Sequence, residues 1–129
     1  MHEENHALTL HKGKHILVVD DDQDMLSIIE QWLTGAGYHV MACSEFHAAK
    51  DLLAHTTPDV LLTDVRLGAF NGLQLAIFAK VHEPTTLIMV MSAFDDPLLQ
   101  EEAEDCGAVF LAKPFTRVEV LTALGCELS

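Results

Sequence analysis

The chain has 129 residues, with 20 acidic against 7 basic side chains for a formal net charge of −13, and half of its residues are apolar. That is one domain's length with enough apolar content to bury a core, which excludes a disordered tail or a disulfide-stapled miniature. The charge also repels nucleic acid, because affinity for a phosphate backbone is built from lysine and arginine clusters that are missing here, so direct DNA or RNA binding is not expected.

Residues 1–13 are polar, with His2, His6 and His11 scattered among acids; they read as a flexible arm with no rigid element to hold a metal. Strands are then predicted at 16–19, 38–43, 60–63, 87–91 and 109–112 from short runs rich in β-branched residues. Between them, apolar residues recur at three and four: Met25, Ile28, Ile29, Trp32 and Leu33, then Phe46, Ala49, Leu52 and Leu53. The same spacing continues in Leu73, Ala76, Ile77 and Val81, in Leu98, Leu99, Ala103 and Cys106, and in Val118, Leu121 and Leu124. Each segment is a one-sided helix. Gly35 and Gly37 stop the first, and Asp96-Pro97 caps the fourth.

Strict alternation of strand and helix forces a parallel sheet with right-handed crossovers, and runs such as ILVV, VLLT and LIMVM indicate strands buried on both faces. The predicted fold is α/β, a doubly wound five-stranded parallel sheet over residues 14–125, with 126–129 as a C-terminal tail. Cys43, Cys106 and Cys126 have neither CxxC nor finger spacing, which suits free thiols in a reducing compartment. No stretch reaches the roughly 20 apolar residues of a membrane helix, and the first residues lack the apolar core of a signal peptide. A cytoplasmic chain without membrane association is expected.

Ligands of open parallel sheets bind at the carboxyl ends of the strands. There the first strand ends in Asp20-Asp21-Asp22, the third in Asp64, the fourth in Ser92-Ala93, and the fifth runs into Lys113-Pro114-Phe115. Any one acid could be a solvated cap, but the joint set supplies a metal site, a carboxylate nucleophile, and a hydroxyl and ammonium for a phosphoryl group. Converging carboxylates need a cation, and an all-oxygen set suits Mg²⁺.

The segments ILVVDDD, LLTDVRLGAFNG, MSA and AKPF resemble the signature segments of the response regulator receiver domain of two-component signalling, a CheY-like superfamily. The resemblance implies a flavodoxin-like (βα)5 fold with strand order 2-1-3-4-5. It also implies that Asp64 is the phosphoacceptor, and that Asp20, Asp21, Asp64 and the Arg66 backbone carbonyl hold Mg²⁺. Ser92 and Lys113 then contact the phosphoryl group, and Phe110 stands with Ser92 as a switch residue. The peptide before Pro114 is expected to be cis, the isomer that only proline makes cheap.

A sensor histidine kinase or histidine phosphotransfer protein would supply the phosphoryl group, docking beside Gln23, Met25 and Ile29 on the first helix. The fourth helix, fifth strand and fifth helix would present an output face to a partner or a fused output domain. Catalysis is limited to the chain's own phosphotransfer and dephosphorylation.

Gly68 stands where receivers usually carry proline, so the loop should be less rigid. Arg66 and Phe94, two residues after Asp64 and Ser92, should overhang the pocket and slow self-dephosphorylation by hindering water. The fourth helix carries Asp95, Asp96, Glu101, Glu102, Glu104 and Asp105 with no base, which argues against a charge-paired dimer there and for a basic partner surface or no dimer at all; a monomer or weak dimer is expected. An EF-hand would need Gly and Glu where Met25 and Gln31 stand. A flavodoxin would not aim three aspartates at a phosphate, and an aspartyl-phosphate phosphatase would carry threonine where Asp24 stands. A phosphorylation-independent protein-binding module is the remaining alternative, and it would be signalled by a lost acid or lysine.

Overall fold

In a computed structural model, which describes residues 13–93 and 97–128, strands and helices alternate along the chain. The order is β1 (His15–Val19), α1 (Gln23–Gly35), β2 (His39–Cys43), α2 (Phe46–His55), β3 (Val60–Asp64), α3 (Gly72–His82), β4 (Leu87–Ser92), α4 (Pro97–Asp105), β5 (Val109–Ala112) and α5 (Arg117–Leu128). The five strands form one parallel sheet in the order β2-β1-β3-β4-β5. Arg66–Leu67 and Phe70–Asn71 add a small antiparallel hairpin between β3 and α3.

The near-continuous apolar strands follow from two core layers. Leu17, Val19, Leu61, Ile88 and Val90 point to the side covered by α2, α3 and α4, where Phe46, Leu53, Leu73, Ala76 and Ala103 meet them. Their neighbours Ile16, Val18, Val60, Leu62, Met89 and Met91 point to the other side, packing on Leu26, Ile29 and Leu33 of α1 and on Val120 and Leu124 of α5. Side chains alternate across a strand, so a strand covered on both faces has no position left for a polar residue until its end.

Helix starts are capped by side chains. Asp22 accepts the amides of Asp24 and Met25 at the head of α1, Glu45 those of His47 and Ala48 at α2, and Asn71 that of Leu73 at α3. Such caps satisfy amides that have no partner within the helix. After α1, Gly37 adopts φ 98°, and Tyr38 N–H returns to the Leu33 carbonyl at 3.1 Å, the left-handed exit that glycine permits. The Asp96 cap named above lies outside the described residues.

Two readings of the sequence are corrected. Residues 126–128 are not a tail: α5 continues to Leu128, which packs against the same core layer as Leu124. The outward faces of four helices also differ from the reading above, since Ile28, Ile77, Val81, Leu98 and Val118 are exposed. In α3 and α5 apolar residues occupy more than one side, and the sheet selects Leu73, Leu75, Ala76 and Ala79 in one and Val120 and Leu124 in the other. Gly13, read as part of the arm, donates its N–H to the Gly37 carbonyl at 2.9 Å; residues 1–12 lie outside the described part. Cys43, Cys106 and Cys126 are free thiols. No described helix is long and apolar enough to cross a membrane.

Candidate functional site

Asp20 follows β1 directly and is fully buried. Its Oδ1 accepts the Asp22 N–H at 3.0 Å and its Oδ2 accepts from Lys113 Nζ at 2.7 Å. Asp64 closes β3, and its Oδ2 accepts a second N–H of the same ammonium at 3.2 Å. Lys113 thus bridges two carboxylates with its own side chain only 13% exposed. Asp21 is exposed and accepts the Gly68 N–H at 3.0 Å, tying the loop after β3 to the end of β1. Asp22 is directed away, to its cap of α1.

Carboxylate oxygens of Asp20, Asp21 and Asp64 lie within 4.8 Å of one another. Against three carboxylates the site sets one ammonium, a deficit that a divalent cation fits, and an all-oxygen donor set suits a hard one. Burial pushes the Asp64 carboxyl above the usual carboxylate range; the charge on Lys113 pulls it back, and the charge on Asp20 adds to the rise. Burial works against the Lys113 ammonium too, but its hydrogen bond to Asp20 and the charges of Asp64 and Asp20 outweigh that and hold it above the ordinary lysine value.

Ser92 ends β4, buried, and its carbonyl accepts the Lys113 N–H at 2.8 Å. The Lys113–Pro114 peptide is cis. Phe110 lies in β5 in register with Val90, half-buried against the α2–α4 core layer. Arg66 is exposed on the hairpin, and its backbone amide bonds the Asp64 carboxylate. Phe94 lies outside the described residues.

Two supports for Asp64 are not visible as a side-chain pattern. Thr63, fully buried, donates its hydroxyl to the Asp64 carbonyl at 2.9 Å. Gly72 starts α3 so close to the main chain that a Cβ there would overlap the Asp64 carbonyl oxygen, and its N–H reaches the Val65 carbonyl at 2.6 Å. The Asn-Gly pair hinted at a turn; only the fold reveals the contact.

The sequence and the fold are similar to those of known proteins. The family described as response regulator receiver domain matches residues 16–125. The chain belongs to that family. Over 116 residues the receiver is 36% identical to the DNA-binding transcriptional regulator NtrC of Klebsiella pneumoniae, covering 87% of this chain and 24% of that protein. Among solved structures, a CheY-like receiver domain protein from Methanospirillum hungatei superposes with a TM-score of 0.86 at 22% identity, over 91% of this chain and 94% of that one. A Burkholderia pseudomallei response regulator, crystallised with a phosphorylated aspartic acid, a calcium ion and citrate, gives a TM-score of 0.81 at 26% identity, over 89% of this chain and 70% of that one. The receiver therefore spans about a quarter of the length of its NtrC relative and has the fold expected above.

Proposed function

We propose that Asp64 accepts a phosphoryl group from a phosphohistidine of a sensor histidine kinase or histidine phosphotransfer protein, and that the modification alters the face formed by α4, β5 and α5. The observation that carries this reading is the Lys113 ammonium held between Asp20 and Asp64 at the carboxyl end of the sheet. A carboxylate oxygen of Asp64 attacks phosphorus while the donor's P–N bond breaks, its electron pair passing to nitrogen. The imidazole leaves neutral when its other ring nitrogen carries a proton. An acyl phosphate remains on Asp64.

Asp20, Asp21, Asp64 and the Arg66 carbonyl are the groups assigned to hold Mg²⁺, which when bound neutralises phosphoryl charge. The chain's own part is positional. Lys113 pairs with the new phosphoryl oxygens, and the Ser92 hydroxyl moves to donate to one of them. The half-buried Phe110 then turns into the space behind Ser92, shifting the population of the output face. Arg66 and Phe94, two residues after Asp64 and Ser92 in the sequence, are assigned the slowing of hydrolysis. An output partner, or an output domain in a longer chain, reads the altered face, while the donor protein docks beside α1.

Intact-mass analysis after incubation with acetyl phosphate tests the assignment. A single phosphoryl adduct is expected on the parent with magnesium, none without magnesium, and none on Asp64→Asn; its decay should quicken in Arg66→Ala and Phe94→Ala. An adduct that persists on Asp64→Asn would move the acceptor elsewhere. No adduct together with no response to beryllofluoride would leave a phosphorylation-independent module.

A further inference from the structure

α3 is apolar on more sides than its packing uses. Leu73, Leu75, Ala76 and Ala79 are buried, yet Ile77 and Val81, on the stripe with Gln74 and Phe78, keep 52% and 80% of their surface in water. A helix apolar nearly all round belongs in an interior. Across from this stripe stands α2, with Lys50 Nζ 5.3 Å from the centroid of the Phe78 ring. Two adjoining hollows of about 450 and 470 Å³ share Lys50 and Phe78. Phe70, 40% exposed, extends the apolar patch and stacks on Phe46 with centroids 4.6 Å apart.

The charge of this groove differs from the overall acidity of the chain. At −13, one copy repels another wherever acids dominate, as on α4 with Glu101, Glu102, Glu104 and Asp105. The groove instead has one ammonium and one carboxylate among its lining residues, Lys50 and Asp51, adjacent on α2. Neighbouring opposite charges on one helix become complementary to themselves under a two-fold axis, where residue i meets j and j meets i. Ala48 and Ala54, lining the same hollow, leave room for a second helix to approach.

We propose that the α2–α3 face is a two-fold contact between two copies of this chain, with Phe70, Ile77 and Val81 of each packed together and Lys50 of each paired with the partner's Asp51. Removal of apolar surface from water supplies the affinity. The charge pairs fix the register, and reversing one sign sets like charges against each other at both symmetric positions. The contact is independent of phosphotransfer to Asp64.

Sedimentation equilibrium of the full chain over a concentration series tests it. The weight-average mass should climb from 14.2 kDa toward twice that value in the parent, and stay at the monomer value in Val81→Glu and Ile77→Glu. Both positions are exposed, so far-UV circular dichroism should be unchanged. Lys50→Glu and Asp51→Lys should each weaken association about tenfold or more, which is about 1.4 kcal/mol, and the double exchange should restore it. A parent monomeric at every concentration overturns the proposal. So does a dimer that survives Val81→Glu or is abolished by Leu98→Glu on α4, since the contact would then lie elsewhere.

Discussion

A Cβ at position 72 would occupy the space of the Asp64 main-chain oxygen, so a glycine fixes where the third carboxylate stands. Gly72→Ala should destabilise the chain by about 1–3 kcal/mol, the usual range for overpacking a rigid interior, and should displace Asp64 from Lys113. Gly35, the last residue of α1, meets nothing within 4 Å of an added Cβ. Gly35→Ala should therefore be neutral or stabilising by up to about 1 kcal/mol through helix propensity alone. Urea denaturation of the two variants beside the parent separates these outcomes; equal effects would mean that the approach of α3 to Asp64 is not rigid. Asp20, Asp64, Ser92 and Lys113 were legible in the sequence because an apolar strand ending in a polar residue marks its own edge. Gly72, Thr63 and the Gly68–Asp21 tie act through main-chain atoms, which leave no periodic side-chain signal.

At the scale of elements, α2 begins with an unusual cap. Glu45 accepts the amides of His47 and Ala48 at 2.8 and 3.1 Å. The bond from His47 N–H holds its carboxyl below the usual glutamate range; burial opposes this, and the Ala48 amide and the neighbouring His47 charge add to the lowering. A carboxyl depressed in the folded state contributes stability above its unfolded value and loses it as pH falls through the folded one. Glu45→Ala should thus be less stable than the parent at neutral pH, with the gap closing in acid below the ordinary glutamate value. Thermal melts of both chains across that range would show it, and a gap independent of pH would mean the cap acts by shape alone. Elements differed in legibility for a related reason. Strands buried on both faces declared themselves within a residue of their ends, whereas α3, with GLQLAIFAKVH, carries apolar residues on several sides. Only its neighbours decide which side is inner.

The whole molecule carries −13, and three of its carboxylates lie together with one ammonium paired to two of them. Two stabilising effects of added cation follow and must be separated. Any salt screens the general self-repulsion and raises stability without regard to site. A cation bound by the folded chain alone adds RT ln(1 + [L]/Kd), about 2.7 kcal/mol at a hundredfold excess over Kd. Asp21 is the residue to remove, because it is exposed and its bond to Gly68 N–H can be kept by an asparagine oxygen. Removing the buried Asp20 instead would strand Lys113 and damage the fold, confusing the two effects. At matched ionic strength, magnesium should therefore raise the parent's Tm above the value in sodium chloride. Asp21→Asn should lose most of that excess while keeping the sodium chloride response. Equal Tm values in both salts for the parent would make the acidic cluster a source of general repulsion only, and the Mg²⁺ assignment would fall with it.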